Sequence, residues 1–281
     1  MPAKKRKQFC DLNPVCYQIA LKKEILRRHL RDAFSHEPFA REKSSEPLPF
    51  VYYRFRTNMI KRAPGVDLTT QFNKAKNIDI ASSRINGLLI HPGETFSFWR
   101  TVGRITKRRG YTAGRVIVRN KLTSGIGGGL CNLGHCLNRM ILHSPLTVTE
   151  FHKHSDSLAP DEGMRIPLSS GTSVAYNNLD YRFRNTTDYD FQILLWCEGE
   201  ELCGELRGAY EPLLRYELVE EGRHFRKEGD TYYNVSKIYR LASDIKTNEL
   251  VAKDLIWDNH SEVMYDYDLI PKELIREATP I

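Results

Sequence analysis

Long apolar runs are missing from this sequence. The longest, Ile193–Cys197, holds five residues, whereas a membrane-spanning helix needs about 20. An export signal is missing as well. Met1–Lys7 is basic, but Gln8 to Leu30 is interrupted by Asp11, Asn13, Pro14, Lys22, Lys23 and Glu24, so no apolar segment follows the charges. These two absences predict a cytoplasmic chain. Cysteine is scarce: six residues, at 10, 16, 131, 136, 197 and 203, are too few for a disulfide framework, and no C-x2-C pair occurs. Charge imbalance is modest. Lys+Arg 42 against Asp+Glu 35 leaves +7, a diffuse excess that suits an anionic cell-wall polymer, phospholipid surface or nucleic acid without choosing among them.

What is present belongs to a folded chain. Hydrophobic residues make up 41% and charged residues 27% of 281, which excludes disorder over most of the length. The pattern divides into a basic helical N-terminal segment (1–46), a mixed core (47–210) and a C-terminal β-rich extension (211–281). In the first, Ile19, Leu21, Ile25, Leu26 and Leu30 recur at helical spacing, with Lys and Arg mostly on the other face. Such a helix is either solvated or a peripheral contact for a membrane surface or for nucleic acid. Residues 42–49 read as a linker.

In the core, a helix is predicted from Leu68 to about Asn86, N-capped by Asp67, with Leu68, Phe72, Ala75, Ile78, Ser82 and Ile85 as its buried stripe. Gly110 to Asn120 reads as a strand. A second helix is predicted over Leu130 to Leu142, with Leu130, Leu133, Leu137, Met140 and Ile141 as one apolar stripe and Pro145 as its stop. Leu146–His154 reads as a strand, and Asp180–Asn185 with Phe191–Trp196 as a hairpin. Leu214–Glu220, Arg223–Lys227, Tyr232–Leu241 and Leu250–Ile256 read as an antiparallel meander broken at Glu-Gly, Glu-Gly-Asp and Thr-Asn turns. The fold class is α+β: N-terminal helices, a mixed central region and a C-terminal antiparallel sheet.

The chemistry concentrates at Gly127-Gly-Gly-Leu-Cys-Asn-Leu. Gly127, Gly128 and Gly129 let the backbone approach a ligand, and Cys131 falls in the first turn of the following helix. A helix N-terminus lowers a thiol pKa, so Cys131 is expected to alkylate faster than Cys10, Cys136 or Cys197. The N–H groups of the same turn can hold an oxyanion. A base follows in Glu150-Phe-His-Lys-His, where Glu150, His152 and His154 share one face of a strand and Glu150 can orient an imidazole. A competing reading takes Cys131, Cys136, His152 and His154 as zinc ligands. It requires Cys131 to lie before the helix, because residues five apart on a helix diverge by about 140°. His143, at the helix end, reads as a C-terminal cap. Arg182 and Arg184 either pair with a substrate carboxylate or are exposed strand charges.

Pro92-Gly-Glu-Thr-Phe-Ser-Phe-Trp, Val102-Gly103, Gly110-Tyr111, Gly127-Gly-Gly-Leu-Cys, Leu142-His-Ser-Pro-Leu, Glu150-Phe-His-Lys-His-Ser, Asp180-Tyr-Arg-Phe-Arg-Asn-Thr-Thr and Gly204-Glu-Leu-Arg follow one another between Asn77 and Arg207. In that order they resemble the VanW family, named for an accessory gene of B-type vancomycin resistance clusters. The resemblance implies a bacterial protein linked to cell-envelope peptidoglycan. Some members look like cysteine L,D-transpeptidases, which would make Cys131 the nucleophile, with His152 and His154 as the motif's histidines. It implies a peptidoglycan stem peptide or precursor as partner, held by the glycines, Asn132 and the two arginines. No cofactor, no metal and no nucleic acid are expected. Asn132 departs from the Gln usual after the Cys, and its shorter amide does not reach the same oxygen. The non-catalytic alternative is an accessory module that recognises the same stem peptide.

Overall fold

The computed structural model describes residues 9–62, 66–118, 121–153, 156–157, 172–176 and 179–276. Helix α1 (Pro14–Phe34) starts at Asn13, whose Oδ1 accepts the Cys16 N–H at 2.8 Å, with Pro14 at the first helical position. Next come β1 (Phe50–Asn58), α2 (Leu68–Ile85), β2 (Leu88–Ile90), β3 (Thr95–Ser97), α3 (Phe98–Val102), β4 (Ala113–Val118), β5 (Lys121–Ile126) and α4 (Leu130–Leu142). The chain continues with β6 (Thr147–Glu150), β7 (Asp156–Ser157), β8 (Arg182–Arg184), β9 (Phe191–Glu198) and β10 (Glu201–Gly208). It ends with β11 (Leu214–Glu228), β12 (Thr231–Asp244), β13 (Leu250–Val263) and β14 (Ile275–Arg276). The class is α+β.

One antiparallel sheet runs β1-β10-β9-β2, a second β3-β8-β6, and β4-β5 is a separate hairpin. The C-terminal sheet runs β14-β11-β12-β13-β7, its three long central strands antiparallel and its two short edges parallel. The main core lies where α2 and α4 meet the first two sheets: Ile78, Ile85, Leu133 and Leu137 pack with Phe96, Phe183 and Phe191, all fully buried. Leu142, Ile238 and Trp257 form a smaller cluster joining the end of α4 to the C-terminal sheet.

α4 and α2 lie within one residue of where the sequence places them, and Asp67 caps α2 through the Thr69 N–H at 2.9 Å. Ile78, Ser82 and Ile85 of the α2 stripe are buried and Ala75 packs against the core, but Leu68 and Phe72 are exposed, while Gln71 and Asn77 are buried and hydrogen-bonded to remote backbone. The expected hairpin over 180–196 does not form, since β8 pairs with β3 and β6, and β9 with β10 and β2. Asn185 turns the chain between the two sheets, its Nδ2 donating to the Ile90 and Tyr189 carbonyls at 2.9 and 2.7 Å.

The Glu221-Gly222 turn is instead a bulge within the single strand β11, where Gly222 has φ +65° and the register to β12 shifts. β1 is a strand that the alternation did not reveal. The stretch 42–49 is tied to β2 and β9: Ser44 N–H donates to Gly87 O, Leu89 N–H to Glu42 O, and Gln192 Nε2 to the Ser44 and Glu46 carbonyls.

Candidate functional site

Three glycines bring the chain into α4, and each has a packing reason. Gly127 and Gly129 have φ of +80° and +97°, which side-chain-bearing residues rarely adopt. A Cβ on Gly127 would stand 2.4 Å from Ile105 Cγ2, one on Gly129 2.1 Å from Lys74 Cγ, and one on Gly128 2.3 Å from the carbonyl carbon of Gly114. The space over the glycines is therefore filled by α2, β4 and the loop after α3, not left open for a ligand. Asn77, fully buried on α2, clamps the turn. Its Nδ2 donates to Gly128 O and Thr112 O at 3.0 and 3.1 Å, and its Oδ1 accepts the Thr112 N–H at 2.8 Å. The N–H groups of Gly127 and Gly128 are spent on Thr112 O and Gly125 O. In the first turn of α4 the Asn132 N–H already donates to Gly129 O at 3.0 Å, so the Leu130 and Cys131 N–H groups are the oxyanion donors that this geometry offers.

Cys131 lies in that first turn, inside the helix. Its Sγ–H donates to Val174 O at 3.6 Å and its Sγ accepts the Val174 N–H at 3.5 Å. Burial pushes the thiol up, against the lowering effect of the Val174 and Cys131 backbone N–H groups, so desolvation overrides the helix end and the expected depressed pKa is not found. Cys136 faces the core and is pushed up to about 12 by burial. With Cys131 within the helix, the two thiols diverge as the zinc reading forbids, and among the described residues no three metal-ligating groups converge. Asn132 Oδ1 is buried with no hydrogen-bond partner among the described residues.

His152 meets the segment that touches Cys131 through its main chain. The Ser173 N–H donates to His152 O at 2.6 Å, and Lys153 bridges Thr172, while Val174 contacts the Cys131 thiol. His152 Nε2 is 2.8 Å from Glu150 Oε1. Glu150 is in turn gripped by Arg28 of α1, bidentate at 2.5 and 2.6 Å, and by the Asp180 N–H at 3.1 Å. Burial opposes its charge, but His152, Arg28 and that N–H hold its carboxyl well below the usual carboxylate range. The hydrogen bonds of Cys131 go to Val174 and that of the His152 ring to Glu150, and His154 lies outside the described residues.

The two arginines part company. Arg182 is buried, with Nε 2.7 Å from Asp180 Oδ2, Nη2 2.6 Å from Asp32 Oδ2, and Glu150 at 3.6 Å. Its guanidinium is already surrounded by this chain's carboxylates. Arg184 is exposed. Asp180 gathers Ser97 Oγ at 2.6 Å and the Trp99 N–H at 3.1 Å, so two of the sequence motifs interlock through it. Arg28, Asp32, Asn77 and Val174 escaped the sequence reading. For Asn77 a signal existed, since the motif-bearing stretch begins there. For Arg28 and Asp32 none did, because the helix period marks them as solvent-facing charges. His143 does cap α4, Nδ1 lying 2.6 Å from Arg139 O.

The family model described as "VanW like protein" matches residues 73–207, from the Asn77 helix through the glycine turn to the end of β10. The chain carries a VanW-family domain. The Vancomycin B-type resistance protein VanW of Enterococcus faecalis (strain ATCC 700802 / V583) is 28% identical over 227 residues, 81% of this chain and 82% of that protein. The uncharacterized protein YoaR of Bacillus subtilis (strain 168) is 28% identical over 123 residues, 44% of this chain and 38% of that one. No solved structure matches. The VanW domain contains Asn77, the three glycines, Cys131, Glu150, His152, Asp180 and Arg182, whereas Arg28 and Asp32 reach it from outside.

Proposed function

We propose that this chain is a resistance-associated protein of the VanW type that acts at the cell envelope on peptidoglycan stem peptides, as a cysteine acyl-transferase of the L,D-transpeptidase kind. One observation supports the reading: the first-turn thiol of α4 and the main chain of His152, whose imidazole meets Glu150, are hydrogen-bonded to adjacent residues of one short segment, Val174 and Ser173. In the reaction, Cys131 Sγ attacks the carbonyl preceding a terminal D-alanine and its proton passes to a histidine. His152 is the described candidate, with Glu150 on Nε2 leaving Nδ1 to accept. The oxyanion is met by first-turn N–H groups of α4. Collapse breaks the C–N bond, the imidazolium protonates the departing D-alanine amine, and an acceptor amine or water then cleaves the thioester. The thiol is protonated until substrate displaces the Val174 main chain from it, which suits transfer of the proton during attack.

A second reading has its own support. A sulfur that both donates to and accepts from Val174 is well placed as structure, and the domain would then recognise stem peptide without chemistry. The purified chain, incubated with a defined stem tetrapeptide, separates the two. Intact-mass spectrometry is expected to find a thioester adduct of the tripeptide on Cys131, absent in Cys131→Ser. Binding of the tetrapeptide by calorimetry with no adduct and no released D-alanine would replace the enzyme with the binding module.

A further inference from the structure

Helix α1 has two different faces. The face it turns to the core is mixed: Leu21 and Ile25 are half-buried there, Arg28 grips Glu150, and the buried Asp32 pairs with Arg182 at 2.6 Å. The opposite face is apolar and open. Val15, Ile19, Leu26, Leu30 and Phe34 are 66%, 53%, 59%, 48% and 76% exposed, and Leu12, just before the helix, 61%. At 3.6 residues per turn these six positions fall within an arc of about 100°. Lys22 and Arg27 border the arc, Lys23 lies inside it, and all three are exposed. Lys4, Lys5, Arg6 and Lys7 precede the helix in sequence.

We infer that this face is a peripheral docking surface for an anionic lipid bilayer, lying in the membrane plane with its apolar arc among the acyl chains. Charge complementarity selects the occupant. Flexible cationic side chains beside an apolar arc suit a surface that is negative outside and apolar beneath. A second copy of the same face would bring Lys22, Lys23 and Arg27 against themselves, and nucleic acid gives leucines and a phenylalanine nothing to bury against. The ion pairs on the core side also tie α1 to Glu150 and Arg182, so the open face points away from them. This inference does not depend on whether Cys131 reacts.

Flotation of the full chain with vesicles tests it. Vesicles of phosphatidylglycerol and phosphatidylcholine at low salt are expected to carry the protein, and pure phosphatidylcholine vesicles to carry at least tenfold less. Leu26→Glu/Leu30→Glu should lose binding at least tenfold. Lys22→Glu/Lys23→Glu/Arg27→Glu should lose the preference for the anionic lipid. These side chains are exposed, and matching melting curves check that each variant folds. In a Leu26→Trp variant the indole emission should shift to shorter wavelength on adding anionic vesicles. No flotation with either vesicle, an unshifted indole, or a concentration-dependent dimer that Leu26→Glu/Leu30→Glu abolishes would each overturn the inference.

Discussion

Glu150 and Arg28, 122 positions apart in sequence, form a two-point ion pair at 2.5 and 2.6 Å, with their side chains only 16% and 10% exposed. Arg28→Ala leaves that carboxylate desolvated with one cation fewer. Breaking a largely buried pair from one side costs about 3 kcal/mol, and urea denaturation should register a loss of that order. A stability unchanged within error would show α1 to be a bystander of the core.

The same pair has a pH signature. The folded-state pKa of Glu150 lies below its unfolded value, so the stabilisation is fully present above about pH 4.3, the ordinary glutamate value, and fades as pH falls towards the folded value. Between pH 5 and 2, wild type should lose stability more steeply than Glu150→Gln, whose position no longer titrates. Parallel curves would mean that other carboxylates carry the acid sensitivity.

Gly128→Ala would force a methyl group to within 2.3 Å of the Gly114 carbonyl carbon, and backbone cannot step aside as a side chain can. Overpacking of this kind costs about 1–3 kcal/mol. Asn77→Ala should cost a similar amount by leaving Gly128 O and the Thr112 N–H without their partner. Hydrogen exchange should then rise over 125–131 in both variants. Unchanged protection there would detach the turn from the α2 clamp.

Cys131 is expected to be a slow thiol at rest. With its pKa raised by burial and its sulfur engaged by Val174, iodoacetamide at pH 7 should label the partly exposed Cys10 and Cys16 first. This reverses the order that the helix end alone suggests. Peptide mapping over time reads the order directly, and Cys131 labelling ahead of both would mean that the Val174 contact does not hold in solution.

The legible parts of the fold were those whose instructions are local. α4 carries its own glycine start, apolar stripe and proline stop, and Asp67 announces α2. What stayed illegible depends on partners far away in sequence. Asn77 is buried because Gly128 and Thr112 come to it, while Leu68 and Phe72, which share the apolar period, are exposed. The glycines were read for ligand approach when their neighbours are Ile105, Gly114 and Lys74. Cys131 was placed on the right turn, but its chemistry is set by Val174, which arrives 43 residues later. Residues 180–196 have the alternation of a hairpin, and alternation does not say which sheet each arm will join.

Where the chain can be shortened follows from Arg182. A fragment trimmed to the 73–207 segment shared with other family members would discard Asp32, the Arg28 partner of Glu150 and the whole of β1, which covers one edge of β10 through eight paired residues. It would expose the flank of a sheet and strand a buried guanidinium among too few carboxylates. The segment that the family model matches is thus smaller than the unit that completes these buried pairs. Expression of this protein should keep everything from Asn13 onward, and relatives recognised only by the shared segment should be searched upstream for a helix bearing an Arg and an Asp four residues apart.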